Sequence, residues 1–217
     1  MNWKRVAIVL VCAAMMPQLQ GCFPMVAAGA VAAGAGAAAL SAVDRRTTGT
    51  QVEDEGIELR ASNRIGERYG DKVHVNVTSF NRGVLLTGEA PDEGTRLAIE
   101  KIVLGVPNVR GVTNEAAVAV ASSLSSRSND SFLTSKVKAR FVDANRFNAV
   151  HVKVVTENSA VYLLGLVTQQ EADAAVEIAR TTGGVRKVVK VLDYCRVTDE
   201  ACRPRDQPKA EPKKAGS

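Results

Sequence analysis

The chain has 217 residues and a mass of 23.0 kDa, enough for one ordinary domain or two small ones. Hydrophobic residues make up 46% of the sequence, so a packed core is expected and global disorder is excluded. Aromatic residues make up only 4% and the net charge is +5, which argues against a nucleic-acid-binding surface. Two His and four Cys are too few to suggest a metal or redox enzyme, so no cofactor and no metal site are predicted.

The first 21 residues are predicted to be a lipoprotein signal peptide. Lys4 and Arg5 precede an uncharged stretch at 6–16, which has the length of a signal-peptide hydrophobic region and is too short to span a bilayer. Leu19-Gln-Gly-Cys22 then resembles a bacterial lipobox, in which the Cys is acylated and becomes the first residue of the mature protein. We therefore predict lipidation at Cys22. The alternative is an ordinary secretory signal in which this Cys occurs by chance.

Residues 22–50 are predicted to form a lipidated stalk. In Gram-negative lipoproteins an Asp directly after the acylated Cys retains the protein at the inner membrane. Phe23 stands there instead, which implies an outer-membrane anchor facing the periplasm. Residues 23–40 are uncharged and mostly Ala and Gly, which contribute little transfer energy. A lipid-proximal stalk is favoured over a membrane-spanning helix or a close helix contact through small residues.

An internal repeat organises the remaining chain. Residues 74–88 align without gaps on residues 151–165, and seven of the fifteen positions are identical. A second match links Val109-Arg-x-Val112 to Val185-Arg-x-Val188. We therefore predict two domains of similar length. The domain boundaries are predicted at 51–120 and 129–195, with a linker at 121–128 and a flexible polar C-terminal tail at 196–217.

Each repeat has the predicted element order α-β-β-α-β. Apolar residues at helical spacing indicate a first helix, and alternating Val residues around a short turn indicate an antiparallel hairpin. The second helix is expected to begin at Pro91 in the first repeat. In the second repeat it is expected to begin with a capping box at Thr168 and to end at Gly183-Gly184. The final strands are predicted at Val109–Val120 and Val185–Leu192. The fold class is α+β, each repeat having a three-stranded mixed sheet packed on two helices.

The element order, the repeat length and the motifs resemble the BON domain family. The lipobox, the Ala/Gly stalk, Ser128-Asn-Asp130 and Gly165-Leu-Val-Thr168 together resemble the outer-membrane lipoproteins that carry two tandem BON domains. The resemblance covers about residues 1–194 and leaves the C-terminal tail without a counterpart. It implies a lipid-anchored protein at the periplasmic side of the outer membrane.

Residues with catalytic potential are few. His74 and His151 stand at the same position of the two repeats, with no partner Asp or Cys copied beside them. We interpret both as exposed or interdomain strand residues and predict that the protein is not an enzyme. Cys195 and Cys202 remain in an oxidising compartment and are predicted to form a disulfide. A metal site at these two Cys would need two further ligands, and none is nearby in the sequence.

The first helix of the second repeat is the predicted phospholipid-binding element. Residues 51–120 carry a net charge of −3 and residues 129–195 carry +2. On a helical wheel Phe132 lies outside the core stripe, next to Lys136 and Arg140. An exposed aromatic residue flanked by cations is typical of a helix that contacts an anionic interface. The alternative is a Phe132 side chain folded back onto the core as a hydrophobic staple. The predicted contact residues are Phe132, Leu133, Lys136 and Arg140.

Two functions follow from these features. The first is a non-enzymatic outer-membrane lipoprotein that supports membrane integrity. The family resemblance implies that it binds anionic phospholipid, either phosphatidylglycerol or cardiolipin, through this helix and acts at the division site. The second is a periplasmic adaptor that binds envelope proteins or regulates cell-wall hydrolases, a role that suits the acidic first repeat. No nucleic-acid partner is predicted.

Overall fold

The computed structural model describes residues 44–202. The predicted signal peptide, Cys22 and most of the stalk lie outside the described residues, as do residues 203–217. The described chain contains four α-helices and seven strands. In chain order they are α1 (Thr48–Tyr69), β1 (His74–Phe80), β2 (Gly83–Ala90), α2 (Glu93–Leu104), β3 (Gly111–Asn114), β4 (Ala117–Val118), α3 (Leu124–Ala144), β5 (Val152–Glu157), β6 (Ala160–Val167), α4 (Gln169–Arg180) and β7 (Lys187–Tyr194).

The predicted α+β fold with two repeats of order α-β-β-α-β is confirmed. In each repeat an antiparallel hairpin continues into a parallel pairing, so each sheet is mixed: β1-β2-β3 in the first repeat and β5-β6-β7 in the second. The hairpin turns are Asn81-Arg82 and Asn158-Ser159, and all four residues have positive φ. This conformation is that of a type I′ turn, whose twist matches the flanking strands.

The last strand of the first repeat differs from its prediction. It is interrupted at residues 115–116, which leaves β3 and β4 as two short segments. Both segments pair in parallel with β2 in the same register, and Glu115 N still donates to Leu86 O between them. The predicted direction of the strand was therefore right, whereas its continuity was wrong.

Several helix boundaries also differ from their predictions. Helix α2 begins after Asp92, whose side chain accepts a hydrogen bond from Thr95 N, so Pro91 precedes the cap instead of starting the helix. The capping box at Thr168 is present as predicted. Helix α4 ends at Arg180, three residues before Gly183. Helix α3 begins after the cap residue Ser123, so more than half of the predicted linker is helical.

The segment after β7 is folded over at least part of its length. Cys195 and Cys202 are joined by a disulfide with a Cα–Cα distance of 6.1 Å, and Cys202 is buried. Arg196 N donates to Asp199 Oδ2 inside the closed loop. Residues 196–202, which were assigned to a flexible tail, therefore belong to the folded second repeat.

Each sheet packs one face against its own two helices. The first repeat buries Ile57, Ala61 and Ile65 of α1 against the sheet, and the second buries Val137 and Phe141 of α3 in the same way. The opposite faces of the two sheets meet in a third cluster. Its buried members are Phe80, Leu85, Tyr162 and Leu164. The sheets therefore pack on each other through the faces that the helices leave open.

Steric contacts explain why both repeats have glycine at the equivalent positions 88 and 165. A Cβ on Gly88 would collide with the carbonyl oxygen of His74, and a Cβ on Gly165 would lie 2.5 Å from the carbonyl oxygen of His151. Gly88 also has a φ of 100°. Only glycine allows the neighbouring strands to approach this closely.

Candidate functional site

Phe132 lies on the outer side of α3. Its side chain is 63% exposed, although the preceding and following turns of the helix are anchored in the core. A staple residue folded back onto the core would be buried, so the structure contradicts the staple interpretation. An exposed aromatic side chain of this kind is available to a partner or to a membrane interface.

Leu133 occupies the opposite environment. It is 2% exposed, and its Cδ2 lies 2.7 Å from the position that a Cβ on Gly184 would take. Leu133 therefore packs against the turn that follows α4. Its prediction as a lipid-contacting residue was wrong, because no part of the side chain is free to leave the core.

Lys136 follows Phe132 by one helical turn and is exposed. Its Nζ donates a hydrogen bond to Gly183 O at 2.9 Å, which places the ammonium group against the turn at residues 181–184. An ammonium group has three donors, so this contact leaves capacity for a further anionic ligand. We call Phe132, Lys136 and the turn at residues 181–184 the Phe132 surface.

Arg140 is half-buried and holds two helices together. Its Nη1 donates to Ile178 O at 2.9 Å and to Thr182 Oγ1 at 2.7 Å, near the C-terminal end of α4. A guanidinium at this position satisfies a carbonyl and complements the negative end of the helix dipole. The structure therefore corrects the prediction of Arg140 as a direct lipid ligand: it is a positioning residue.

The turn after α4 is the part of this surface that sequence reasoning missed. Gly183 lies beside Lys136, and the turn is flanked by the exposed residues Arg180 and Arg186. Arg186 also donates to Asn158 O at 2.7 Å. A helical wheel of α3 gives no information about this turn, because the two segments are more than forty residues apart in the sequence. The Gly-Gly pair was the available signal, and it was interpreted only as a helix end.

The first repeat lacks an equivalent surface. Gly56 takes the position of Phe132, and Arg60, at the position of Lys136, donates to Glu53 Oε1 at 2.5 Å. Hydrogen bonds from Asn108 and Arg60 lower the pKa of Glu53, so this carboxylate stays charged. The corresponding face of α1 therefore offers neither an aromatic side chain nor an unpaired cation.

A buried aspartate fixes the hairpin turn in each repeat. Asp130 accepts hydrogen bonds from Asn158 N and Ser159 N, both at 2.8 Å. Asp54 accepts from Asn81 N at 2.8 Å and from Arg82 N at 2.7 Å in the same way. These residues position α1 and α3 against the sheets. The sequence signal was an Asp at the same position of both first helices, which entered the sequence analysis only through the charge of each repeat and the Ser128-Asn-Asp130 motif.

His74 lies at the junction of the two repeats. Its Nδ1 is 2.7 Å from Glu89 Oε2. Glu157, from β5, has a carboxylate oxygen within 4.8 Å of one ring nitrogen of His74 and one oxygen of Glu89. His151 lies in a short 3₁₀ turn, not in a strand, and its Nδ1 is 3.4 Å from Glu171 Oε1. Both His therefore have a Glu partner, which the sequence comparison did not reveal because the Glu residues come from different elements.

Residues 53–120 and 129–196 each match the BON domain. The chain is 40% identical over 178 residues to outer membrane lipoprotein DolP of Haemophilus influenzae, covering 81% of this chain and 90% of that protein. It is 34% identical over 154 residues to the 21 kDa hemolysin of Actinobacillus pleuropneumoniae, covering 70% and 79%. Neither name describes an enzyme.

Among solved structures, the C-terminal domain of CdsD from the Chlamydia trachomatis type III secretion system is similar to 67% of this chain and 98% of its own length. The identity is 11% and the TM-score is 0.28, too low to extend the comparison. Within residues 44–202, none of the helices has the length and apolar character needed to cross a bilayer.

Proposed function

This chain belongs to the BON domain family, and we propose that it is a non-enzymatic outer-membrane lipoprotein that binds anionic phospholipid through the Phe132 surface. In this proposal acyl chains on Cys22 anchor the protein, and the second repeat contacts lipid head groups. The protein thereby supports outer-membrane integrity, and enrichment of anionic lipid at the division site directs it there. The similarity to outer membrane lipoprotein DolP supports the anchor and the location.

The observation that carries the proposal is the exposure of Phe132 beside a cation. In the free protein Phe132 is 63% exposed, so most of this large aromatic residue lies in water and not in the core. Transfer of a Phe side chain from water to the acyl boundary contributes about 1.5–3 kcal/mol. The ammonium of Lys136 near an anionic surface adds about 1 kcal/mol.

These contributions suit a protein that is already tethered. A total of about 2.5–4 kcal/mol corresponds to weak binding from solution. An acyl anchor keeps the protein close to the membrane and raises its effective concentration there, so a weak second contact becomes sufficient. The acidic face of the first repeat, with Gly56 in place of the aromatic residue, supports assigning the contact to the second repeat alone.

Vesicle binding tests the lipid contact. The chain is produced without residues 1–22, so that no acyl group contributes, and is incubated with vesicles of phosphatidylcholine alone or mixed with phosphatidylglycerol. We expect cosedimentation only with the mixed vesicles and its loss in Phe132→Glu. Leu59→Glu is the matched control, because Leu59 is equally exposed on the first helix of the other repeat. It should bind as the unchanged chain does.

Two results would contradict the proposed contact. Equal losses in both variants would mean that the second repeat has no special role. Binding to neither vesicle would remove the lipid function and leave the adaptor hypothesis.

Acylation is tested separately. Intact-mass measurement of the membrane-extracted protein should give a chain that begins at Cys22 and carries acyl chains. Cys22→Ala should prevent lipid attachment and outer-membrane fractionation. A chain that still begins at Met1, or an unmodified Cys22, would disprove the anchor.

A further inference from the structure

We infer that His74, Glu89 and Glu157 form a binding site for a divalent transition-metal ion, of which Zn²⁺ is the probe, at the junction of the two BON domains. The site is independent of the Phe132 surface. Two ligands come from the hairpin of the first repeat and the third comes from β5 of the second. An ion at this position would join the two repeats.

The three side chains already converge. One ring nitrogen of His74, one oxygen of Glu89 and one oxygen of Glu157 all lie within 4.8 Å of one another. The corresponding ligand atoms around a tetrahedral Zn²⁺ are about 3.4 Å apart, given metal–ligand distances of about 2.1 Å. Small side-chain rotations would therefore complete the site, and imidazole with carboxylates is a donor set that Zn²⁺ accepts.

The charges at this position also favour binding of a cation. Glu89 is 6% exposed and Glu157 is half-buried, yet within residues 44–202 neither forms an ion pair with a Lys or Arg. Burial raises the pKa of Glu157, and the nearby Glu89 raises it further. Two carboxylates held this close in a partly buried site favour a bound cation.

In the second repeat, the carboxylate beside the equivalent histidine, His151, is paired with an arginine. Beside His151, the carboxylate of Glu171 receives hydrogen bonds from Arg45 Nη1 at 2.6 Å and Nη2 at 3.0 Å. Burial raises the pKa of Glu171, but hydrogen bonds from His151 and Arg45 outweigh it and hold this pKa well below its usual range. A guanidinium therefore already neutralises this cluster, whereas no Lys or Arg among residues 44–202 forms an ion pair with Glu89 or Glu157.

Neighbouring groups form hydrogen bonds with both carboxylates and can hold them in position for a metal ion. Ser122 N donates to Glu89 Oε2 at 3.2 Å, and Asn76 Nδ2 donates to Glu157 Oε2 at 3.0 Å. Such contacts orient carboxylates towards a metal ion.

His74 and Glu157 also line an open groove of about 380 Å³, which gives an ion access. Arg127 and Asp130 line the same groove; Arg127 Nε donates to Ser122 Oγ, and Asp130 is occupied by the β5–β6 turn.

Calorimetric titration with ZnCl₂ tests the site, using the mature, untagged protein in detergent after removal of metals by a chelator. We expect one ion per chain, with at least tenfold weaker binding in Glu157→Gln and in His74→Asn. His151→Asn is the matched control at the equivalent position and should bind as the unchanged protein does. Phe132→Glu should also bind zinc normally, which separates this site from the lipid contact.

A second measurement keeps the test independent of folding defects. Circular dichroism with chelator present should give the same spectrum for Glu157→Gln as for the unchanged protein. Zinc should then raise the melting temperature of the unchanged protein but not that of the variant. No zinc binding at micromolar concentrations, or binding that survives both Glu157→Gln and His74→Asn, would overturn the inference.

Discussion

Arg64 and Arg140 occupy the same position of the first helix in the two repeats, and each donates a hydrogen bond to the end of the second helix. Arg64 Nη1 reaches Gly105 O at 2.8 Å, and Arg140 Nη1 reaches Ile178 O at 2.9 Å. The duplication of this contact indicates that Arg140 serves the fold common to both repeats. The lipid-binding role we propose for the second repeat must therefore rest on residues that are not duplicated, above all Phe132.

Arg140→Ala should lower the free energy of unfolding by about 1–3 kcal/mol, because Ile178 O and Thr182 Oγ1 lose a charged donor in a partly buried site. Arg64→Ala should cost less, since Arg64 is exposed and makes one such bond. Urea denaturation of both variants gives the comparison. Vesicle binding by folded Arg140→Ala should decrease only slightly; a loss as large as that in Phe132→Glu would restore Arg140 to the lipid-contacting set.

Lys136→Ala should weaken binding to anionic vesicles by about fivefold at low salt, which corresponds to the roughly 1 kcal/mol expected of one cation near such a surface. The effect should shrink as salt is added, because exposed charges are screened. Stability should change little, since Lys136 makes a single exposed contact. Cosedimentation at two salt concentrations measures this. An effect of equal size at both would mean that Lys136 acts by packing and not by charge.

Asp130→Ala should lower the free energy of unfolding by about 2–4 kcal/mol, because it leaves two N–H groups of the β5–β6 turn without their charged acceptor. Asp54→Ala should cost at least as much, since Arg46 also loses one of its two carboxylate partners, at 2.8 Å, and keeps only Asp44. Chemical denaturation tests both. Retention of full stability in Asp130→Ala would mean that the turn forms without this anchor.

Glu171→Gln should remove a pH-dependent contribution to the free energy of unfolding. The pKa of Glu171 is lowered in the folded protein, so its carboxylate stabilises the fold above its ordinary value of 4.5. That contribution is lost as the pH falls below 4.5 towards the lowered pKa. The difference in unfolding free energy between the two proteins should therefore be largest at pH 7 and should decrease steadily as the pH falls from 4.5 to 3. A difference that does not depend on pH would contradict the ion pair with Arg45.

Cys195 and Cys202 should be oxidised to each other in protein taken from the periplasm. Mass measurement after alkylation, with and without prior reduction, counts the free thiols. Reduction should cost about 2–3 kcal/mol of stability, because the bridge closes a short loop. Two free thiols without reductant, or dimers linked through either Cys, would disprove the intramolecular bridge.

The sequence was sufficient for the architecture of each repeat. Alternating Val residues and helical spacing are local signals, and their duplication at an offset of 76 or 77 residues repeats the same element order. The errors occurred where tertiary pairing sets a boundary. Helix α3 extends back to Leu124 through the predicted linker, and the last strand of the first repeat breaks at residues 115–116. Neither feature has a local signal as strong as a periodic apolar pattern.

The sequence by itself also determined which helix position is unusual, because Phe132 falls off the core stripe and Gly56 replaces it in the other repeat. Only the tertiary structure decided what the neighbouring side chains do. Leu133 and Arg140 are committed to contacts with α4 and its following turn, whereas Lys136 keeps an exposed ammonium. The junction of His74, Glu89 and Glu157 arises for the same physical reason. Packing the two open sheet faces together joins residues about eighty positions apart, and sequence periodicity carries no information about such contacts.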